Sequence, residues 1–420
     1  MIFRKDIWFI PVWLISLFFI AGCGTTSKVS LRNLSFLYQS EKQFTNLPAI
    51  VYHTSDSTSQ LFVRVNYGSL LYKKDPYSGI YICSYRLSYK LSMGYDAAES
   101  LEESSLYAGD SLHYGRSAGV VHSLEFKAKY PGKYLLEVTL TDINRQDHST
   151  QFLSVDKSTM QGRHNFLAVD RDRQPIFNNY LNEGHSFRIM VDDPAIHFLQ
   201  VNHYQRKFPV ARPPYVEGRE AAFQYKPDSI FLVPLFNGES EWLELPDHGF
   251  YHFQKDTSLR DGYTLFRFPD SYPDLTVANQ LWGPLRYITS RKEFDSLMLS
   301  QNTKAAVDEF WLKTAKTQER ALVLLQKYYL HVEEANRYFQ SYHEGWKTDR
   351  GLIYVVFGKP TYVYRGEGIE EWVYGEPQNR NSLRFTFIKV NNPFTGNDYM
   401  LLRSPTFKDP WFITVQSWRR

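Results

Sequence analysis

The sequence predicts a multidomain, mainly β chain: two tandem antiparallel β-sandwich regions, then an α+β C-terminal domain with helices first and an antiparallel sheet after them. Three observations predict it. Aromatic residues fill 16% of the 420 positions, with 30 Tyr, 30 Phe and 9 Trp, and these types suit half-buried pleated surfaces. From about residue 47 to 285, short runs alternating apolar and polar residues are separated by turn residues. Beyond Ser290 the apolar spacing lengthens to three and four, the period of a helix. A hydrophobic content of 43% and a charged content of 22% are ordinary for globular domains. A formal net charge of +3, with no basic stripe, gives no site for a phosphate backbone, so no nucleic acid is expected as a partner.

Residues 1–22 read as a secretory signal. Arg4 and Lys5 precede an apolar run from Ile7 to Ala21, and small residues stand at its end. The run carries Pro11 and is shorter than the roughly 20 residues a membrane span needs. Ile20-Ala21-Gly22-Cys23 resembles the bacterial lipobox. That resemblance implies cleavage before Cys23 and acylation of its thiol and amine by fatty chains such as palmitate. At about 0.8 kcal/mol per buried methylene, several chains hold a protein on a membrane almost permanently. The expected address is the outer membrane of a Gram-negative envelope, lipid-anchored and facing the periplasm. The expected partners are that membrane and another envelope protein. Residues 23–46, which include the small polar run Gly24-Thr25-Thr26-Ser27-Lys28, read as the lipidated Cys and a tether. With Cys23 acylated, Cys83 is the one remaining thiol, so no intrachain disulfide forms. Its setting in Ile80–Tyr85 reads as a buried strand position.

Residues 47–157 form the first sandwich. Gln60–Tyr67 alternates, and so does Leu124–Ala128 up to the break at Tyr130-Pro131-Gly132. Lys133–Asp142 then places Tyr134, Leu136, Val138 and Leu140 on one face. The stretch Gly132-x-Tyr134-x-Leu136-x-Val138 resembles a late strand of immunoglobulin-like and fibronectin-like modules, which implies an Ig-like sandwich. Leu91 to Ala118, polar and rich in Ser and Gly, reads as a long loop. Residues 158–285 form a second β-rich domain, with strands at Ser186–Val191, Ser229–Val233 and Tyr263–Phe268. Phe250–Phe253 is placed to pair with the Tyr263 strand across Arg260-Asp261-Gly262. Pro209, Pro213 and Pro214 mark a loop or edge between them.

Residues 286–420 change character. Ser290-x-x-Glu293 is a capping box that opens a helix. A second helix carries Val307, Phe310 and Trp311. The longest has Ala321, Leu324, Leu325, Tyr328, Val332, Ala335 and Phe339 in one apolar stripe. Glu344-Gly345-Trp346-Lys347-Thr348-Asp349-Arg350-Gly351 follows, then Leu352–Phe357, read as a strand, and the turn Gly358-Lys359-Pro360. This stretch resembles the GWxTD domain, a family of bacterial, often lipid-anchored, envelope proteins. Phe310-Trp311, Tyr328-Tyr329, Glu334-Ala335-Asn336 and Phe339 match its helical lead-in. Gly358-x-Pro360 and Glu371-Trp372-Val373-Tyr374-Gly375 match its continuation. The resemblance covers residues 286–420. No reaction is assigned to the family, so the resemblance implies none.

Each residue of the motif also has a structural reading. Gly345 supplies a positive φ at the turn out of a helix, and Trp346 covers the junction of helix and sheet. Thr348 and Asp349 bond nearby amides, Arg350 pairs with Asp349 or Glu334, and Gly351 admits the chain to the next strand. The functional reading makes Thr348, Asp349 and Arg350 a ligand or catalytic cluster beside Trp346. No nucleophile–base pair with recognisable spacing accompanies it, so no catalytic residue is assigned. His248 and His252 stand four apart without a carboxylate–His signature, and no metal site is expected. Gly-rich phosphate loops, Gly-x-Ser-x-Gly and Cys-x-x-Cys are absent from the sequence, so no cofactor is expected. Three functional expectations result. The foremost is a non-enzymatic interaction or scaffold lipoprotein. The others are an enzyme with a site around Trp346, Asp349 and Arg350, and a carbohydrate- or peptide-binding surface. They separate on whether Asp349 and Arg350 converge in an open cleft or are closed in a turn.

Overall fold

The structure is a computed structural model that describes residues 29–38, 47–111, 119–218 and 223–419. Cys23 and the signal segment lie outside the described residues, as does the Ala118 end of the expected loop.

The first β region is a sandwich of two antiparallel sheets. One holds β1 (Ala49–His53), β2 (Thr58–Val65) and, beyond them, the strand Val120–Lys127. The other runs β3 (Lys73–Lys74), β4 (Tyr81–Ser92), then Lys133–Asp142 and Asp147–Asp156, with β5 (Glu102–Ser111) added to β4. In chain order Val120–Lys127, Lys133–Asp142 and Asp147–Asp156 are β6, β7 and β8. Val51, Leu61, Val63 and Val65 of one sheet meet Tyr85, Leu87, Leu91, Leu136, Val138 and Leu140 of the other. The Cys83 thiol is fully buried in this core, as expected for a small hydrophobe. The stretch from Leu91 is not simply a loop. Residues 102–111 pair with β4 in register from Leu91↔Glu102 to Ile82↔Ser111. The alternation there is masked because β5 is an edge strand on which Glu103, Ser104, Ser105, Tyr107 and Ser111 are exposed and no residue is fully buried.

The second β region is a seven-stranded antiparallel path. Its strands are β9 (Phe166–Val169), β10 (Arg188–Val191), β11 (Phe198–Tyr204), β12 (Ser229–Phe236), β13 (Glu239–Ser240), β14 (Gly249–Gln254) and β15 (Tyr263–Arg267). The order is β15-β14-β11-β12-β13-β10-β9. The predicted hairpin forms, with Phe253 opposite Tyr263 and Phe250 opposite Phe266. The two ends of the path share one core, in which Phe187 meets Phe253 edge-on at 6.3 Å.

The C-terminal region opens on α1 (Arg291–Met298), α2 (Thr303–Ala315) and α3 (Gln318–Phe339). The capping box is present: Ser290 N–H donates to Glu293 at 2.8 Å, and Glu293 N–H to Ser290 Oγ at 3.4 Å. After the motif come α4 (Asp349–Phe357), a four-stranded antiparallel sheet of β16 (Tyr362–Gly366), β17 (Ile369–Tyr374), β18 (Leu383–Lys389) and β19 (Tyr399–Leu401), and finally α5 (Lys408–Trp418). Leu352–Phe357 is therefore helix, not strand. A short run that is apolar on every side fits a fully enclosed helix as well as a buried strand, and periodicity alone does not separate them. Here every residue from Asp349 to Val356 is buried. Gly358, at φ 75°, ends the helix by bonding its N–H to the Tyr354 carbonyl.

Part of the expected tether is structured. Residues 29–38 lie along β16, with Ser30 N–H on the Arg365 carbonyl and Leu34 N–H on the Val363 carbonyl, both at 2.7 Å. Leu34 and Tyr38 are buried in the C-terminal core. Arg32 also reaches Glu137 of the first sandwich at 2.9 Å. Among the described residues, no helix is long and apolar enough to cross a membrane.

Candidate functional site

The Gly345–Gly351 motif sits where α3, a short 3-10 turn (Gly345–Lys347) and α4 cross. Both glycines are there for close approach. A Cβ on Gly345 would stand 2.0 Å from the Ala335 carbonyl oxygen, and one on Gly351 would stand 2.0 Å from that of Gly345. Three backbone segments thus stack at a separation only glycine permits. Gly345 is not among the glycines with positive φ, so its expected turn conformation is corrected: its role is space. Gly351 likewise admits no strand and lies inside α4.

Thr348 caps α4. Its Oγ accepts from Gly351 N–H at 3.0 Å and donates to the Gly345 carbonyl at 2.8 Å, which satisfies a free donor of the first turn. Trp346 is buried, meets the Tyr287 ring edge-on at 6.0 Å and faces Gly283. Its N–H donates to Asn336 Oδ1 at 3.2 Å, and its carbonyl accepts from the Tyr287 hydroxyl at 2.8 Å. Asn336 also donates to the Pro273 carbonyl at 2.9 Å. The tryptophan therefore seals a junction among helices and the preceding linker, rather than helix against sheet.

Asp349 and Arg350 point apart. Asp349, first residue of α4, accepts from Arg403 Nη1 at 2.9 Å, Arg403 Nη2 at 2.5 Å and Leu401 N–H at 2.7 Å. Arg350 donates to Glu370 at 3.2 Å and to the Asn397 carbonyl at 2.9 Å, and it also bonds the Asn397 side chain. Neither of the pairings expected for Arg350, with Asp349 or with Glu334, is made. Glu334 instead accepts from the Tyr354 hydroxyl at 2.9 Å.

Glu370 is the centre of the C-terminal core. One of its oxygens accepts from Tyr38 and from Trp372 Nε1, and the other from Arg350 and from Arg365 Nε at 3.0 Å. Arg365 also donates to the Tyr38 hydroxyl at 2.6 Å. Burial alone would raise the carboxyl pKa, but Arg365 and Arg350, with the Tyr38 and Trp372 donors, hold it below its ordinary value. Burial raises the Tyr38 hydroxyl, keeping it protonated as a donor. Sequence reasoning missed Tyr38, Arg365, Glu370, Asn397 and Arg403. They are spread along the chain, and only Glu370 adjoins one of the motifs that carry the family resemblance, Glu371–Gly375.

His248 and His252 do not form a site. The His248 carbonyl accepts from His203 at 3.2 Å. His252 is buried with both ring nitrogens engaged, Nδ1 with Thr264 Oγ at 2.8 Å and Nε2 with the Arg260 carbonyl at 3.0 Å. Burial pushes its pKa down to about 4. Among the described residues, no group of three or more His, Cys, Asp or Glu could hold a metal ion. Two concavities lie elsewhere. One of about 370 Å³ is lined by Arg64, Asp170, Phe177, Tyr180 and His185, between the two β regions. The other, about 230 Å³, runs over β11 and β14 beside Tyr225, Arg260 and Phe394. In its floor, Gln200 donates to Asn202, Asn202 to Gln254 and Gln254 to the Leu259 carbonyl.

Residues 249–420 match the GWxTD domain family. The chain carries a GWxTD domain. The match starts at β14, well before residue 286, and the packing accounts for this. Phe394 of the GWxTD domain lies against Phe250 at 4.8 Å and against Tyr204 at 5.3 Å. Tyr272 donates to the Asn336 carbonyl at 2.8 Å. The β14–β15 hairpin and the motif are thus parts of one packed unit. Among solved structures, a stretch of the chain is similar to a calcium binding mutant of Bacteroides uniformis beta-glucuronidase 2. The identity is 15% and the TM-score 0.16, over 26% of this chain and 13% of that one. No curated protein matches the chain.

Proposed function

We propose that this chain is a membrane-anchored envelope lipoprotein whose role is interaction or scaffolding. The observation that carries the reading is the state of the motif. Asp349 is engaged by Arg403 and Leu401, Arg350 by Glu370 and Asn397, and Thr348 by Gly345 and Gly351, all away from solvent. A catalytic cluster needs a face open to substrate, and these polar groups are committed to holding helices and sheet together. The lipobox-like Ile20–Cys23 supplies the anchor, and the outer membrane facing the periplasm is the proposed address. Cell fractionation of Cys23→Ser tests it. The parent chain is expected with membranes and the variant away from them; a variant that stays membrane-bound and processed like the parent refutes the anchor.

A second reading, a carbohydrate- or peptide-binding surface, draws support from the groove over β11 and β14, where an amide ladder lies beside Tyr225 and Phe394. Binding of soluble glycans or peptides that is lost in Asn202→Ala would favour it.

A further inference from the structure

The chain is pinned close to the residue proposed to carry its lipid. Val29 bridges to Gly366 of β16, and the N–H groups of Ser30 and Leu34 donate to the Arg365 and Val363 carbonyls. The same strap holds the first sandwich: Ser30 Oγ donates to Asp96 at 2.8 Å, and Arg32 to Glu137 at 2.9 Å. Five residues, 24–28, separate Cys23 from Val29. Fully extended they reach about 20 Å, and as a flexible chain about 13 Å. A tether running to residue 46 would let the body stand well off a bilayer. This one does not.

The strap marks one end of the first sandwich. Asp96 lies in the turn that follows Ser92, the last residue of β4. Ser92 pairs with Leu135 of β7, so Lys133 and the Tyr130-Pro131-Gly132 turn before it stand at the same end. Large apolar side chains are exposed there: Leu31 is 92% exposed, Met93 65% and Tyr130 46%. Charges of both signs accompany them. Lys133 faces Asp156 at 3.7 Å. Lys389, whose N–H donates to the Gly368 carbonyl, stands beside the β16–β17 turn that holds Glu367. The opposite end of β4 carries the turn from β3, where Tyr77 is 97% exposed. The 12 residues of β4 set the two ends about 37 Å apart.

We propose that this end of the first sandwich, with the start of the strap and the β16–β17 turn, rests on the phospholipid leaflet that holds the acyl chains, and that the Tyr77 end is directed away from it. The inference rests on the lipid anchor proposed above and adds the orientation of the body. The length of the tether names the occupant. With Val29 held within about 20 Å of the surface, the bilayer is what these side chains meet. Leu31 and Met93 offer apolar surface to it, and Tyr130 offers an apolar ring with a polar tip, which suits a boundary between hydrocarbon and water. The mixed charges make the contact apolar rather than electrostatic. It therefore needs no anionic lipid and is not screened by salt.

The test uses the full lipidated chain in phosphatidylcholine vesicles whose headgroups carry a fluorescence quencher. Cys83 is buried and Cys23 is acylated in this reading, so a single introduced cysteine takes the dye. Quenching at Met93→Cys should exceed that at Tyr77→Cys by about three-fold or more, given their separation along β4. Leu31→Cys is a second position at the membrane end should Met93→Cys fail to fold. High salt should leave the difference unchanged. Equal quenching at both ends, or more at Tyr77→Cys, on a chain that floats with the vesicles overturns the orientation and leaves the anchor standing. A difference that salt abolishes overturns the apolar contact. A chain that does not float with the vesicles overturns the anchor, and this proposal with it.

Discussion

Arg403 grips Asp349 with both guanidinium nitrogens, Nη1 on one carboxylate oxygen at 2.9 Å and Nη2 on the other at 2.5 Å. The pair ties the N-terminus of α4 to the chain just beyond β19, and the negative charge also suits the positive end of the helix. Both side chains are almost wholly buried, with 6% and 4% of their surfaces exposed. Removing one partner leaves a buried charge uncompensated, which costs about 3–5 kcal/mol. Asp349→Asn should therefore lower stability by about that amount in urea unfolding of the parent and variant chains. An unchanged midpoint would show that the carboxylate is kept for something other than the fold, and would reopen the catalytic reading.

Gly345 and Gly351 are expected to be the least replaceable residues of the motif. A methyl on either meets a carbonyl oxygen at 2.0 Å, and backbone, unlike a side-chain tip, cannot swing aside. Overpacking costs about 1–3 kcal/mol where the neighbours can relax, and here they cannot do so cheaply. Gly345→Ala and Gly351→Ala should each unfold at markedly lower temperature than the parent. Gly184→Ala, with nothing within 4 Å of its Cβ but a φ of +67°, should lose only about 1 kcal/mol. Equal melting of all three would refute the close-approach argument.

Trp346→Ala should cost about 3–5 kcal/mol, as other large-to-small core changes do. The loss comes from the Tyr287 contact and the void left beside Gly283. Tryptophan fluorescence is a poor reporter among nine tryptophans, so calorimetry is the appropriate measurement.

Much of the fold was legible because it rests on local periodicity. The β7 strand declared its face through Leu136, Val138 and Leu140, and α3 did so through its Tyr328, Val332, Ala335 and Phe339 stripe. Ser290 and Glu293 announced a helix start that forms as a capping box. Two elements escaped for opposite reasons. The solvent-facing β5 has little apolar alternation to show, and the enclosed α4 has apolar residues on every side. The motif was legible as a unit, but its partners were not. Arg403 is 54 residues from Asp349 and Tyr38 is 332 from Glu370, and nothing local in a single sequence signals such a pairing.

Tyr38 gives a direct test of the N-terminal strap. Its hydroxyl serves Glu370 as donor and Arg365 as acceptor inside the core. Tyr38→Phe should cost about 1–3 kcal/mol, because it leaves a buried carboxylate and guanidinium each short of a partner. The same variant should expose residues 29–38 to proteases earlier than in the parent. Identical cleavage rates and stability would mean that the strap does not hold to the GWxTD domain in solution.

Acid should loosen the protein in a definite window. Burial lowers the pKa of His53 and His252 to about 4, against an unfolded value near 6.5. A histidine with a depressed folded pKa is protonated first in the unfolded chain. Its contribution is complete above about pH 6.5 and is lost as pH falls toward 4, with a slope of at most about 1.4 kcal/mol per pH unit for each group. Glu370 acts lower. Its carboxyl is held below the ordinary value, so the stability it lends is present above its unfolded pKa of about 4.3 and fades as pH drops through the folded one. Burial likewise lowers His343 to about 4 and His164 to about 3, so unfolding free energy measured from pH 7 to 4 should fall with a slope of about four protons. His252→Gln should remove about one proton of that slope while lowering stability at pH 7, since the Thr264 and Arg260 bonds are only partly replaced. A stability profile flat between pH 6.5 and 4 would mean that these histidines titrate normally, and that the surroundings of His53 in β1 and His252 in β14 are open to water where the structure shows them closed.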